Sequence, residues 1–176
     1  VKSSRQAVYV VALVATIAGM ISYGFGLVLG ALFAKEMGKS GLRRGIKMHY
    51  PLLGAAAYLS LMVWHAGLSG SAPLAVATEG HFLQDKIGII PITETLFNPM
   101  NTFVIIAQII LVPLFALLVH PKDEKELMPI DAIIPEEEMA AGSESNPTVV
   151  AGAPTPAAHL ENSRILAWII GLGGVI

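Results

Sequence analysis

Three long stretches of this chain carry no charge, and that fact narrows its folding options more than any other. Ala7–Ala34 is 28 residues without a charged side chain, Tyr50–Thr78 is 29 with His65 counted as neutral, and Thr95–Val119 is 25 more. A helix needs about 20 apolar residues to cross a bilayer, so each stretch is long enough. Charged residues make up only 14% of the sequence, against about 25% in soluble domains. A water-exposed globule would be short of surface charge, so lipid is expected as part of the solvent. A cleavable leader fits badly, because its apolar core is about 7–15 residues long. The absence of cysteine excludes disulfides, thiolate chemistry and cysteine-ligated metals. A net charge of −2 with 7% aromatic residues gives no basis for nucleic-acid binding. A fourth apolar run, Ile165–Ile176, follows, and the first residue is Val1 rather than Met. The expectation is therefore a piece of a longer membrane protein.

Charge placement gives an orientation. Lys35, Lys39, Arg43, Arg44 and Lys47 face only Glu36 across residues 35–49, and short basic loops stay in the cytoplasm. Lys2 and Arg5 flank the other end of the first apolar run. A single crossing would leave those two outside; a hairpin that enters and returns puts all seven basic residues on one side. As one helix, the run would be about 42 Å long, against a hydrocarbon core of about 30 Å. Broken near Ser22-Tyr23-Gly24-Phe25-Gly26, each arm would reach about 20 Å, past the midplane but not across. Two glycines two apart can open a helix, so a re-entrant hairpin over 7–34 is expected. The alternative is one long tilted helix with Gly19, Gly26 and Gly30 at a helix–helix contact.

The second run opens with Pro51, a good first-turn residue, and is apolar to Trp64. It then changes to His65-Ala66-Gly67-Leu68-Ser69-Gly70-Ser71-Ala72-Pro73, too rich in Gly, Ser and Pro for a good helix. Ser71 before Ala72-Pro73 reads as an N-cap, so a new helix is expected near residue 72. The fold class is thus all-α integral membrane: a re-entrant hairpin, a broken helix over 50–78 and a helix over 95–119, together a membrane domain of residues 1–121. Residues 79–99 read as an external loop with an interfacial stretch. Asn101, Gln108 and Pro113 read as interhelical hydrogen bonding and a proline kink. Residues 122–163 hold nine acidic residues against two lysines and read as an acidic, flexible, cytoplasmic linker. The next transmembrane helix is expected to start at 164–176.

Few residues carry chemistry. Gly24–Gly30 misses the dinucleotide spacing and lacks its context. The five histidines form no i,i+4 pair, so a metal site is not expected. His65 sits beside the second break, and a membrane-embedded ionisable group is a functional candidate; a neutral ring bonded to a carbonyl is the equal alternative. The pairing of two broken segments matters most, because secondary transporters place substrate and coupling ion between discontinuous helices. Free N–H groups at helix starts suit an anion and exposed carbonyls suit a cation. The expected substrate-binding residues are Ser22, Tyr23, Gly24, Gly26, His65, Ser69, Gly70 and Ser71. No cofactor is expected beyond a coupling cation, sodium or proton.

At these residues the chain resembles the short-chain fatty acid transporter family of the bacterial acetoacetate/butyrate type. The resemblance rests on Tyr23–Glu36 (YGFGLVLGALFAKE), Tyr50–Leu53 (YPLL), Gly67–Thr78 (GLSGSAPLAVAT), Ile90–Phe97 (IPITETLF) and Leu160–Gly171 (LENSRILAWIIG), in the family's order. The chain departs from the family pattern at Ser22-Tyr23, where the family has Asn-Trp, and at His65-Ala66, where it has small glycines. The resemblance implies an inner-membrane carrier for short-chain carboxylates, built from two repeats of which this is one, with an elevator-type motion. Its expected partners are a small carboxylate, the lipid bilayer and the second half of the same chain, with a homo-oligomer left open. Two rival classes remain. A structural or assembly subunit would use both breaks for packing only. An intramembrane enzyme would need a base or metal beside the serines, and no membrane carboxylate is present.

Overall fold

The structure, a computed structural model, describes residues 1–135. The expected linker residues 136–163 and the helix start at 164–176 lie outside the described residues. The described part is all-helical, in the order α1 (Ser4–Ile21), α2 (Tyr23–Arg43), α3 (Tyr50–Tyr58), α4 (Ser60–Val63), α5 (Ser71–Val76), α6 (Gln84–Ile87), α7 (Ile92–Leu96) and α8 (Pro99–Leu118). A 3-10 turn, Trp64–Ala66, follows α4 directly.

The first apolar run folds as a helical hairpin hinged on one residue. Ser22 is extended (φ −156°, ψ 137°); its N–H donates to the Ala18 carbonyl, closing α1, and its own carbonyl accepts from Gly26, opening α2. The break is therefore narrower than the expected 22–26, and Gly24 and Gly26 lie inside α2. The arms run antiparallel in one register. A side chain at Gly26 would meet the Gly19 backbone at 2.7 Å, and one at Gly30 would meet Ala15 at 3.3 Å. At the far end, the Arg44 guanidinium donates to the Val1 carbonyl at 2.9 Å. Each of these pairs sums to 45, so Lys2 and Arg5 share an end with Arg43, Arg44 and Lys47. The small residues at the close contacts are what let two backbones approach. A hairpin replaces the alternative of one long tilted helix; Gly26 packs on Gly19 across it, while Gly19 and Gly30 also face Ser60 and Ala57 of the second run.

The arms are longer than expected, because both helices continue into the charged flanks. At 18 and 21 residues they measure about 27 and 31 Å. Only about 22 Å of the first arm, Ala7–Ile21, is free of charge.

Helix α1 is the centre of the described bundle, with α2, α3–α4 and α8 around it. Ala7, Val8, Val11, Ala12, Ala15 and Thr16 are wholly buried, the three-to-four spacing of one broad helix face. Ser3 starts α1 by accepting from the Gln6 N–H, and Asn98 starts α8 by accepting from Met100 at 2.9 Å. That cap, with Pro99 behind it, places the start of α8 later than the expected residue 95. Most of the outer surface of α8 is apolar and open, with Phe103 at 72% and Leu118 at 79% exposure. Such a surface needs lipid or further protein against it.

The first compact unit comprises Val1–Pro135. Past α8 the chain folds back over the junction of α2 and α3. The Tyr50 N–H donates to the Met128 carbonyl at 2.8 Å, the Met128 N–H donates to His49 Nδ1 at 3.2 Å, and Ile130 is buried against Gly38. The acidic composition of this stretch hides that one well-placed apolar anchor.

Candidate functional site

The second apolar run breaks twice. Helix α3 ends at Tyr58, α4 carries on for one turn, and the 3-10 turn gives way to extended backbone at Gly67 (ψ −172°). Helix α5 then begins at Ser71 with Gly70, not Ser71, as its N-cap. Gly70 is the residue that fits there, because a side chain on it would strike the His65 carbonyl.

The two breaks meet. The Leu68 N–H donates to the Met20 carbonyl at 2.7 Å, and the Tyr23 N–H donates to Ser69 Oγ at 3.2 Å. Ser22 forms no side-chain cap for α2, so a serine from the other break takes that place. A side chain at Gly67 would collide with the Met20 backbone, so contact between the breaks requires glycine there. The Trp64 indole fixes the loop by donating to the Ser69 carbonyl at 2.6 Å, and its ring lies 4.8 Å from Tyr23 and 4.2 Å from a stacked His65.

The carbonyls freed by the broken helix are held from outside. The Asn101 amide donates to the Ala66 carbonyl at 3.1 Å and to Leu96 at 2.9 Å; the Gln108 amide donates to Met62 at 3.2 Å. The polar residues of α8 are thus interhelical partners, as their sequence reading has it, and two of their acceptors lie in the broken segment. Among the described residues, the Gln108 carbonyl oxygen and the Ser60 hydroxyl are buried without a partner.

Of the eight expected residues, the structure gathers Ser22, Tyr23 and Ser69 directly, with His65 joined through Trp64. Gly70 is buried behind them, and a side chain at Gly24 would meet open space. Gly26 is taken up by the contact with Gly19. Ser71 is exposed and makes no side-chain hydrogen bond among the described residues. Sequence reading placed Gly67 and Leu68 within the second break but passed over Met20 and Trp64, although an aromatic residue abutting a glycine-rich break was a usable signal.

Against the meeting point lies an apolar cavity of about 500 Å³. Its walls include Met20 and Ile21 just before the first break and Gly67 and Leu68 within the second, with Thr102 and Ile105 of α8. That volume is within the range of small-molecule sites, about 300–1,000 Å³. Among the described residues, no cluster of three or more His, Cys, Asp or Glu could hold a metal ion.

The sequence profile described as "Short chain fatty acid transporter" matches residues 1–176. The chain is 37% identical over 174 residues to a protein of Escherichia coli K12 named "Putative short-chain fatty acid transporter", covering 99% of this chain and 37% of that protein. It is 35% identical over 181 residues to the protein of the same name from Haemophilus influenzae, covering 98% and 38%. No solved structure matches. The chain thus spans less than two-fifths of the length of these relatives. Three of its helical segments, Ser4–Ile21, Tyr50–Val76 and Pro99–Leu118, are long and apolar enough to cross a membrane. With bacterial relatives, this makes it a multi-pass protein of the bacterial inner membrane. A profile match along every residue, joined to helices long and apolar enough to cross a membrane, means that the chain belongs to the short chain fatty acid transporter family.

Proposed function

We propose that this chain forms part of an ion-coupled carrier for short-chain carboxylates of the acetoacetate or butyrate kind, one repeat of a two-repeat transporter. In this reading the hairpin enters and returns from the basic side, and the substrate sits where Ser22–Tyr23 meets Ser69. The observation that carries it is the juxtaposition of two backbone breaks, with donors at hand, beside an apolar cavity. A short fatty acid has that same division, a carboxylate on a small alkyl tail.

The roles follow from the chemistry of each group. The first turn of α2 leaves N–H groups at Gly24 and Phe25 without intrahelical acceptors. Ser69 Oγ accepts from Tyr23 and keeps its own proton to donate. Hydrogen bonds to a charged group contribute about 1.5–3 kcal/mol each. A desolvated carboxylate costs more than a few of these return, which is why a co-transported sodium ion or proton belongs to the reading. The tail would lie along Leu68, Thr102 and Ile105.

The test is uptake of labelled butyrate by the full-length protein in vesicles, for Ser69→Ala, Ser71→Ala and both together. The reading expects Ser69→Ala to raise the KM for butyrate. Untouched uptake in all three variants would remove the site assignment. A second reading, packing only, is favoured by Gly26 and Gly70, both buried in contacts. It expects Ser69→Ala to lower stability and leave the KM unchanged.

A further inference from the structure

We infer that the basic end of the bundle holds the headgroup of an anionic phospholipid, at a site separate from the two breaks. A second cavity, of about 590 Å³, opens there between the start of α1, the turn before α3 and the chain after α8. Four cations line it from three separate segments: Lys2 and Arg5, Lys47, and Lys122. None of the four forms an ion pair among the described residues. Two carboxylates, Asp123 and Glu124, share the lining. Asp123 is partly occupied, accepting from the Lys125 N–H at 3.0 Å. A net surplus of cations, contributed by segments that only the fold brings together, selects an anion.

The floor of this cavity is built and polar. Ser4 and His120 are buried there, 2.7 Å apart between Oγ and Nε2. His120 Nδ1 lies 2.7 Å from the Pro121 carbonyl, which can only accept, so Nδ1 carries a proton; in the neutral ring Nε2 accepts from the Ser4 hydroxyl. The His49 N–H donates to the same hydroxyl at 3.0 Å. These bonds tie α1, the turn before α3 and the end of α8 into one rigid base.

Position decides between a lipid and free phosphate. The cavity lies at the ends of two membrane-length helices, where headgroups reside. By the basic-loop rule this is the cytoplasmic side, whose leaflet carries anionic lipid. The last turns of α8, which lead into the cavity lining at His120, expose Phe115, Leu118 and Val119, an apolar surface on which acyl chains can lie. Free phosphate has no use for that surface.

The test titrates dioctanoyl phosphatidylglycerol, dioctanoyl phosphatidylcholine or inorganic phosphate into the full-length protein in neutral detergent. Phosphatidylglycerol is expected to bind in preference to the other two. Each of Lys2→Gln, Arg5→Gln, Lys47→Gln and Lys122→Gln is expected to weaken it about fivefold, while Lys→Arg replacements retain it. Glu124→Gln, which removes a carboxylate and leaves every cation in place, is expected to tighten binding. Equal affinity in the fourfold Gln variant, no gain from Glu124→Gln, or inorganic phosphate binding as tightly as the lipid overturns the inference.

Discussion

Gly67→Ala tests the meeting of the two breaks most directly. The added methyl would overlap the Met20 carbonyl and its neighbouring backbone atoms, and backbone cannot swing aside as a side chain can. The loop must retreat, and the Leu68 to Met20 hydrogen bond goes with it. Overpacking of this kind costs about 1–3 kcal/mol, and a lost hydrogen bond about 0.5–1.5 kcal/mol, so the variant should lose about 1.5–4.5 kcal/mol. Gly24→Ala is the matched control. It meets nothing within 4 Å and sits within α2, where alanine is favoured over glycine by about 1 kcal/mol. Its stability should hold or rise slightly. Thermal stability of the full-length protein in detergent reads the first effect. Disulfide trapping between Met20→Cys and Leu68→Cys reads the geometry, since this chain has no cysteine of its own. If Gly67→Ala melts and cross-links like the parent, the two breaks do not touch and the proposed site has no physical basis. Lower butyrate uptake in a stable Gly24→Ala protein would place the substrate against that bare backbone.

Three further outcomes are expected. Thr102→Phe should fill part of the cavity beside α8 and bias uptake toward shorter acids, measured as the ratio of hexanoate to acetate transport. Trp64→Phe should cost about 1 kcal/mol through the lost bond to the Ser69 carbonyl, with Tyr23 and His65 still in contact with an aromatic ring. His49 has its pKa lowered, first by burial and then by His120, with Glu126 opposing. The neutral form is favoured in the fold, so its stabilising contribution is full above the ordinary value of 6.5 and is lost as pH falls below it. Protonation would also displace the Met128 N–H from Nδ1. Thermal stability should therefore fall between pH 7 and 5, and His49→Gln should flatten that slope.

The long spans and both break regions were legible because lipid imposes a simple test: a run either contains a charge or it does not. Pro51 and the polar residues of α8 were readable for similar local reasons. The width of the first break was not. Gly24 and Gly26 looked like helix openers, yet Gly26 is needed where it faces Gly19 across the hairpin, a neighbour that exists only after the chain has turned back. Ser22 alone breaks the helix, and its missing cap comes from Ser69, 47 residues on in the sequence. The start of α5 was displaced by one residue because only the folded loop brings the His65 carbonyl against Gly70. The anchor at Ile130 was hidden by the acidic residues around it.

The amides of Asn101 and Gln108 do a job that a continuous helix would give to its own main chain. Main-chain bonds come apart only by unwinding a turn, whereas an amide on a flexible stem can let go and find another acceptor. The segment from Met62 to Ala66 is therefore fastened to α8 by a detachable clasp. A shift of that segment against α8 would need only these side-chain bonds to exchange, with no turn unwound.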